Sequence, residues 1–488
     1  YNVEEYHLRM LMKTGNSKKP FKEILTEYHS QRKWLMSLIT DPTGSRYHVD
    51  KSDMQRMQEF EEQMARTGDF LEYIGNPESK FKSIHVAGTS GKGSVVSMIA
   101  AILSASKINN GFHISPYLQI SNEKLIVNDQ MIPPSAFIAL IEEFKEKYIE
   151  YGEAKRKFNT LKYGEAWVIL TYLWLANEGV DWGVIETGLG GRYDPTNVLP
   201  ANLAVLTNID FDHVKSLGPT IEKIAWHKAG IIKEGKLAVT SEIKPEIVDI
   251  FKREAAEKNA MIYCLEEDFT FEVHQQDSNG AILSVEGPYE HYPNVKLAMK
   301  GNFQPINAAL AIASLDILKH HYQMPISPQT VQEGLEKLVF PGRMEIMQQY
   351  PLVMIDGAHN QHKMQALVDS IKTLYKNKKI IVVVGMLSTK DASGMIDALF
   401  PITDKWIATQ PDVFGKPATS AEEVVTLIQE QDENARIQMR PNIKEAVELA
   451  ISQAVQDELV LVTGSLYMIG AARNRWFPSE ELLSNLEK

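Results

Sequence analysis

Residues 84–94, IHVAGTSGKGS, pass from a short β-branched and apolar run into a glycine-rich loop ending in Gly-Lys-Gly-Ser. A strand that delivers the chain to such a turn, with a helix behind it, is a phosphate cradle. The glycines let successive backbone N–H groups converge on an anion, and Lys92 adds a positive charge. Ser94 opens the apolar run SVVSMIAAILSAS. This is read as a helix whose positive end lies behind the phosphates and whose first hydroxyl reaches a phosphate-bound magnesium ion. The spacing departs from the common P-loop: Val86 stands where the leading glycine belongs, and Gly93 separates Lys92 from Ser94. A nucleotide is the first expectation; a strand-to-helix turn with an incidental lysine is the plain alternative.

Outward from this loop, the segments 181–191 (DWGVIETGLGG) and 201–213 (ANLAVLTNIDFDH) each hold a compact apolar strand that stops at polar residues. Ligands of a parallel sheet bind beyond the carboxyl ends of its strands. Glu186 and Asp212-His213 are therefore expected beside the loop if these strands are neighbours. Over residues 21–38 the apolar positions Phe21, Ile24, Leu25, Tyr28, Trp34, Leu35 and Leu38 recur near helical spacing, predicting an amphipathic helix that ends at Asp41-Pro42-Thr43-Gly44. Beyond a hinge at Pro341-Gly342-Arg343, apolar strands at 352–355, 380–385, 406–409 and 459–463 alternate with helical segments, a second α/β unit. Residues 267–300 between the two units suit short antiparallel strands. The expected organisation is a polar extension over 1–20, a nucleotide-binding unit over 21–340 and a second unit over 344–488.

With 488 residues, 44% of them apolar, the chain exceeds one ordinary domain. A net charge of −12 leaves no global positive field for nucleic acid or an anionic membrane, so anionic substrates would rely on local lysines and arginines. Cys264 is the only cysteine, which excludes an intramolecular disulfide and a cysteine-rich metal site and fits a reducing compartment, so a cytoplasmic location is expected. No apolar run approaches membrane-spanning length, and residues 1–20 lack a signal-peptide core.

Glu186, before the glycine turn at 187–191, is a carboxylate of the kind that magnesium wants beside phosphates; a strand-end salt bridge is its alternative. His213 could supply an imidazole to a second magnesium or be structural. Lys228, in KIAWHKAGIIKEG, reads most simply as a solvated helix-end lysine. Asn307, in GNFQPINAALAIA, could be a helix cap or a polar core residue. Arg343 and the turn Asp356-Gly357-Ala358-His359-Asn360 would face the loop across the hinge, though Asp, Gly and Asn also favour ordinary turns.

In order, HVAGTSGKGS, SPYL, ETGLGGRYDPTN, DFDH, HKAGI, GNFQPINAA, PGR, DGAHN and TGSLYMIG run through most of the chain. On this ordered set the sequence resembles the folylpolyglutamate synthases and dihydrofolate synthases of the Mur-ligase superfamily. The resemblance implies an α/β protein with a P-loop, Mur-ligase-like central ATPase domain and a smaller Rossmann-like C-terminal domain. It implies an ATP-dependent, ADP-forming ligase that adds L-glutamate to a reduced folate or dihydropteroate through an acyl phosphate. Carried over by position, Thr89, Gly91, Lys92, Gly93 and Ser94 form the phosphate cradle, and Asn307, Arg343 and Asp356 are ATP contacts. Ser94, Ser115, Glu186 and His213 are magnesium ligands at two sites. Lys228 matches a lysine that is carbamylated beside the second ion, and His359 helps place phosphate or the incoming amino acid, so Lys92, Lys228 and His359 form the catalytic set. A monovalent cation and a monomeric state also come with the resemblance, whose partners are small molecules alone.

The chain departs from the family pattern at Ser90, where Asn is usual, and at Lys124, where Arg is usual in the region that handles the acceptor. An apparent insertion spans 43–56. A Lys keeps the charge of Arg but loses its planar fork, so the acceptor is the open question. Two other readings stand beside the folate ligase. One is a related ligase with a different carboxylate acceptor; the other is a nucleotide-binding regulatory protein, against which the retention of Lys92, Glu186, His213 and Lys228 argues.

Overall fold

Strand β1 (Lys82–Ala87) lies inside an eight-stranded sheet because its side chains have apolar layers on both faces. Ile84 and Val86 point into a core built with the helices Lys92–Ala105 and Gln304–Tyr322, while Ala87 joins a different cluster with Leu206 and Ala238. The other strands are β2 (Asn110–His113), β3 (Ile126–Val127), β4 (Gln130–Met131), β5 (Trp182–Glu186), β6 (Leu203–Leu206), β7 (Leu237–Thr240) and β8 (Met261–Cys264). Their order is β4-β3-β2-β5-β1-β6-β7-β8, parallel from β2 through β8, with β3 antiparallel to both β2 and β4. Register decides where the chemistry falls. Val86 pairs with Glu186 and Ala87 with Leu206, so the loops after β1, β5 and β6 leave the sheet at one edge, as the sequence predicts.

The computed structural model describes residues 19–41, 52–154, 156–376 and 378–488. Most of the N-terminal extension, the turn at Pro42-Thr43-Gly44 and all but the end of the expected insertion lie outside the described residues. The expected first helix is Phe21–Met36, which buries Tyr28 and Leu35 against the helices Pro134–Glu153 and Tyr163–Asn177. A further helix, Asp53–Tyr73, opens with a Ser52–Gln55 capping box that the sequence reading did not find. Residues 267–300 form the antiparallel strands β9 (Thr270–Asp277), β10 (Gly280–Glu286) and β11 (His291–Leu297), whose Leu283, Val285 and Val295 extend the Ile84 core.

Past residue 341 a second sheet holds β12 (Glu345–Gln349), β13 (Leu352–Asp356), β14 (Lys379–Val384), β15 (Lys405–Ala408), β16 (Ile437–Met439) and β17 (Glu458–Thr463), in the order β12-β13-β17-β14-β15-β16. Val382 and Val384 enter one core and Ile381 and Val383 the other, the pattern of a strand with helices on both faces. The four expected strands are β13, β14, β15 and β17; the two edge strands were too short and polar to be read. The last helix, Ser479–Leu486, returns to the first sheet, where Leu483 packs in the cluster of Tyr28. Among the described residues no helix is long and apolar enough to cross a membrane.

Candidate active site

The cradle is shaped by two glycines. Gly88 adopts φ +151°, and a Cβ there would lie 1.7 Å from Thr207 Oγ1. Gly91 adopts φ +82° at the helix N-cap, where a Cβ would come within 2.4 Å of Asn307 Oδ1. Both positions combine a left-handed backbone with no room for a side chain. Gly88→Ala is therefore expected to destabilise the fold by about 3 kcal/mol or more, read as a fall in the urea midpoint at constant m. The helix begins at Lys92, two residues before the Ser94 of the sequence reading, and no side chain caps it. Lys92, Gly93 and Ser94 thus share the first turn, whose N–H groups have no partner within the helix.

Thr89 plays a different part from its neighbours. Its hydroxyl donates to the Asp210 carbonyl and accepts the Asp210 N–H, both at 3.0 Å, and so clamps the cradle to the loop after β6. Ser90, the departure from the family pattern, is held through its backbone: its N–H donates to Asn208 Oδ1 and its carbonyl accepts from Thr207 Oγ1.

Two lysines converge on one carbonyl. Lys92 Nζ donates to Gly88 O at 3.2 Å and Lys228 Nζ at 2.7 Å. Lys228 is 4% exposed and so is not the solvated helix-end lysine that its sequence context suggested; the helix Ile221–Ala229 carries it under the cradle. Burial, then the nearby charge of Lys92, holds its pKa well below the usual lysine range. Glu186 places Oε1 3.8 Å from Lys92 Nζ, and its Oε2 accepts the Ser115 N–H at 3.1 Å. Asn307 lies inside its helix and is not the cap. It donates to Gln304 Oε1, and Gln304 donates to Ser94 Oγ at 3.4 Å, so these three residues tie the Gln304–Tyr322 helix to the cradle. Sequence reasoning passed over Gln304, which sits three residues before Asn307 in the same motif.

The Glu186 carboxylate with the hydroxyls of Ser94 and Ser115 is a hard-oxygen donor set suited to magnesium. The adjoining Thr187 Oγ1 is buried and has no hydrogen-bond partner among the described residues, a polar atom able to bond a group held beside Glu186. His213 stands at φ +51° with its ring 45% exposed, 3.8 Å from Asp212 Oδ1. It lies within the field of Lys390, Lys228 and Lys92.

The second sheet closes on this edge. Asp356 ends β13, and its two oxygens accept the N–H groups of Met344 and Ala358 at 3.0 and 2.8 Å. With the Gly357 N–H donating to Gly342 O, the carboxylate stitches the hinge together, and Arg343 lies beside it. His359 Nδ1 faces the Gly357 carbonyl at 2.8 Å, which can only accept, so that nitrogen carries the proton. Nε2 then accepts from Lys363 Nζ at 3.1 Å. Burial, followed by the charges of Lys363 and Lys390, keeps His359 neutral. Lys363 is itself pushed down to about 7 by burial. Across the boundary, Asp212 takes Lys390 at 3.1 Å and Lys363 at 3.7 Å, and Asp210 takes His362 at 2.9 Å. Lys363 and Lys390 were missed, although the four-residue spacing from His359 to Lys363 on a helix start was a usable signal.

From Ser115 a cavity of about 640 Å³ opens between the sheets, bounded by Arg32, Tyr117, Lys124, Trp167 and Tyr467 among others. Lys124 is buried, donates to the Ile114 carbonyl at 3.4 Å and lies 5.3 Å from the Trp167 ring. Burial pushes its pKa down to about 8.

Residues 86–315 match the Mur ligase middle domain, and residues 342–466 match the Mur ligase glutamate ligase domain. The dihydrofolate synthase/folylpolyglutamate synthase of Bacillus subtilis is 32% identical over 418 residues, covering 84% of this chain and 94% of that protein. This chain belongs to the dihydrofolate synthase/folylpolyglutamate synthase family. A solved Mycobacterium tuberculosis folylpolyglutamate synthase complexed with ADP shares the fold at a TM-score of 0.81 and 26% identity, over 93% of this chain and 99% of that one. Escherichia coli FolC in complex with DHPP and ADP follows at 0.75 and 26%, over 94% and 98%. The α/β Mur-ligase architecture expected from the ordered motifs is thus the architecture present. Within this family frame, the helix Phe21–Met36 and its Arg32 precede both matched segments.

Proposed function

We propose that this family member is an ATP-dependent, ADP-forming ligase that joins the amine of L-glutamate to the carboxylate of a folate-type acceptor. The observation that carries the reading is the double role of Ser115. Its N–H binds Glu186 beside the cradle, and the same residue lines the acceptor cavity, so a carboxylate there reaches the transferring phosphoryl group. An acceptor oxygen attacks the γ-phosphorus, the bond to ADP breaks, and an acyl phosphate forms. The glutamate amine then attacks its carbonyl carbon, loses a proton and expels phosphate. The intermediate is needed because a bare carboxylate repels nucleophiles and has no leaving group.

Lys92 offsets charge on the transferring group from the first turn of the helix. Ser94, Ser115 and Glu186 would hold one magnesium ion, and His213 with a carbamylated Lys228 a second. When bound, such ions neutralise phosphate charge. Asn307, Arg343 and Asp356 border the nucleotide, the last by shaping the hinge. His359, held neutral, and Lys363, which donates to it, suit the incoming amino acid, and the Asp212 contacts with Lys363 and Lys390 hold the site shut against hydrolysis of the acyl phosphate.

ADP release in the presence of glutamate should require tetrahydrofolate or dihydropteroate, with product mass counting the glutamates added. Release with a non-folate carboxylate and with neither folate would replace this reading by the related ligase, which the Lys124 departure favours.

A further inference from the structure

Resting on that reading, we infer that Arg32, seated by Tyr117, binds the α-carboxylate of the acceptor's terminal glutamyl residue, so that this chain favours acceptors already carrying a glutamate. Arg32 is half-buried in the cavity wall, and its one hydrogen bond among the described residues runs from Nη2 to the Tyr117 hydroxyl at 3.3 Å. Its Nε is shielded from solvent and bonds none of the described residues. The groups that act on the guanidinium are the phenols of Tyr117, Tyr28 and Tyr163, and among the described residues no carboxylate pairs with it. A guanidinium withdrawn from water without an anion is unfavourable, whereas one carboxylate would satisfy its planar fork in two parallel hydrogen bonds.

Position selects which carboxylate. Tyr117 stands two residues beyond Ser115, whose N–H is on Glu186 at the reacting end. Lys124 lies at that inner end as well, bonded to the Ile114 carbonyl and within the field of Glu186. The reacting γ-carboxylate therefore falls by Ser115 and Lys124. A second carboxylate, two methylenes and one carbon away on the same glutamyl residue, comes opposite Arg32. Dihydropteroate has no second carboxylate to offer. Against a net charge of −12, these are local cations set into an acidic protein.

The test compares tetrahydrofolate with its analogue in which γ-aminobutyrate replaces the glutamate, which keeps the reacting carboxylate and deletes only the α-carboxylate. Wild-type enzyme should prefer tetrahydrofolate by about 10- to 100-fold in kcat/KM, the range of a charge-assisted pair, with most of the difference in KM. Arg32→Met should bring that ratio close to one by weakening tetrahydrofolate use, and Arg32→Lys should restore part of it. Each ratio is taken within a single variant, so a smaller folded fraction cancels. Equal losses on both acceptors would place Arg32 on the shared pterin or aminobenzoyl portion and overturn the assignment, as would a wild-type ratio near one. Wild-type enzyme idle with both acceptors would overturn the ligase reading and the assignment together, an outcome separated from the others by the wild-type assay alone.

Discussion

Lys92→Ala should lower kcat by about three orders of magnitude at saturating ATP, the scale seen when a cation that stabilises a transferring phosphoryl group is removed. The amine sits in the first turn of the cradle helix, 3.2 Å from the Gly88 carbonyl and 3.8 Å from Glu186 Oε1. Nothing in the cores depends on it, so thermal unfolding of the variant should follow the wild type. Glu186 keeps its bond from the Ser115 N–H, and the carboxylate is not orphaned by the substitution. The loss should therefore appear in kcat more than in the KM for ATP, because the developing charge of the transition state outweighs that of the ground state. Lys92→Arg keeps a cation but brings a wider, planar group to a narrow turn, and should recover only a small part of the rate. A kcat within tenfold of wild type in Lys92→Ala would remove Lys92 from the catalytic set.

The sheet and its chemical edge were legible because they follow from short-range pattern plus one topological rule. IHVA, WGVIE and LAVL are too apolar and β-branched to be anything but buried strands, and parallel neighbours place their carboxyl ends together. The helix Asp53–Tyr73 was not legible for the opposite reason: charged residues and Gln separate Met57, Phe60 and Met64, and only Phe70 and Leu71 enter the core fully. Lysines were the least readable residues. Lys228, Lys363 and Lys390 look alike as solvated side chains in sequence, and only tertiary placement shows one under the cradle and two against Asp212. Asp356 shows the converse. The resemblance implies a nucleotide contact there, and tertiary structure adds what the sequence could not show: both its oxygens take backbone N–H groups at the hinge and so shape the turn that carries Arg343 and His359.

Lys228→Ala should be as severe as Lys92→Ala, and its chemistry is distinguishable from a simple loss of charge. The Lys228 amine is buried, it donates to the Gly88 carbonyl at 2.7 Å, and burial with the Lys92 charge favours its neutral form. A neutral amine is the form that adds to the carbon of carbon dioxide and then sheds a proton, giving an anionic oxygen ligand where a lysine would otherwise repel a cation. Because its pKa is lowered, that reactive form persists at neutral pH, well below the range in which an exposed lysine loses its proton. Wild-type activity should accordingly fall in carbon dioxide-depleted buffer and return on adding bicarbonate, and intact-protein mass under native conditions should show one added carbon dioxide. Lys228→Ala should lose about 10³-fold in kcat, as expected for a group that orders charge around the transferring phosphoryl, and added short-chain carboxylates should restore part of the rate. Lys228→Met, which fills the same space without an amine, should be equally slow and show no added carbon dioxide. If the wild type ignores carbon dioxide and Lys228→Ala is not rescued by any carboxylate, the amine itself, bonded to Gly88 as the structure has it, is the working group, and Lys228 serves to shape the cradle.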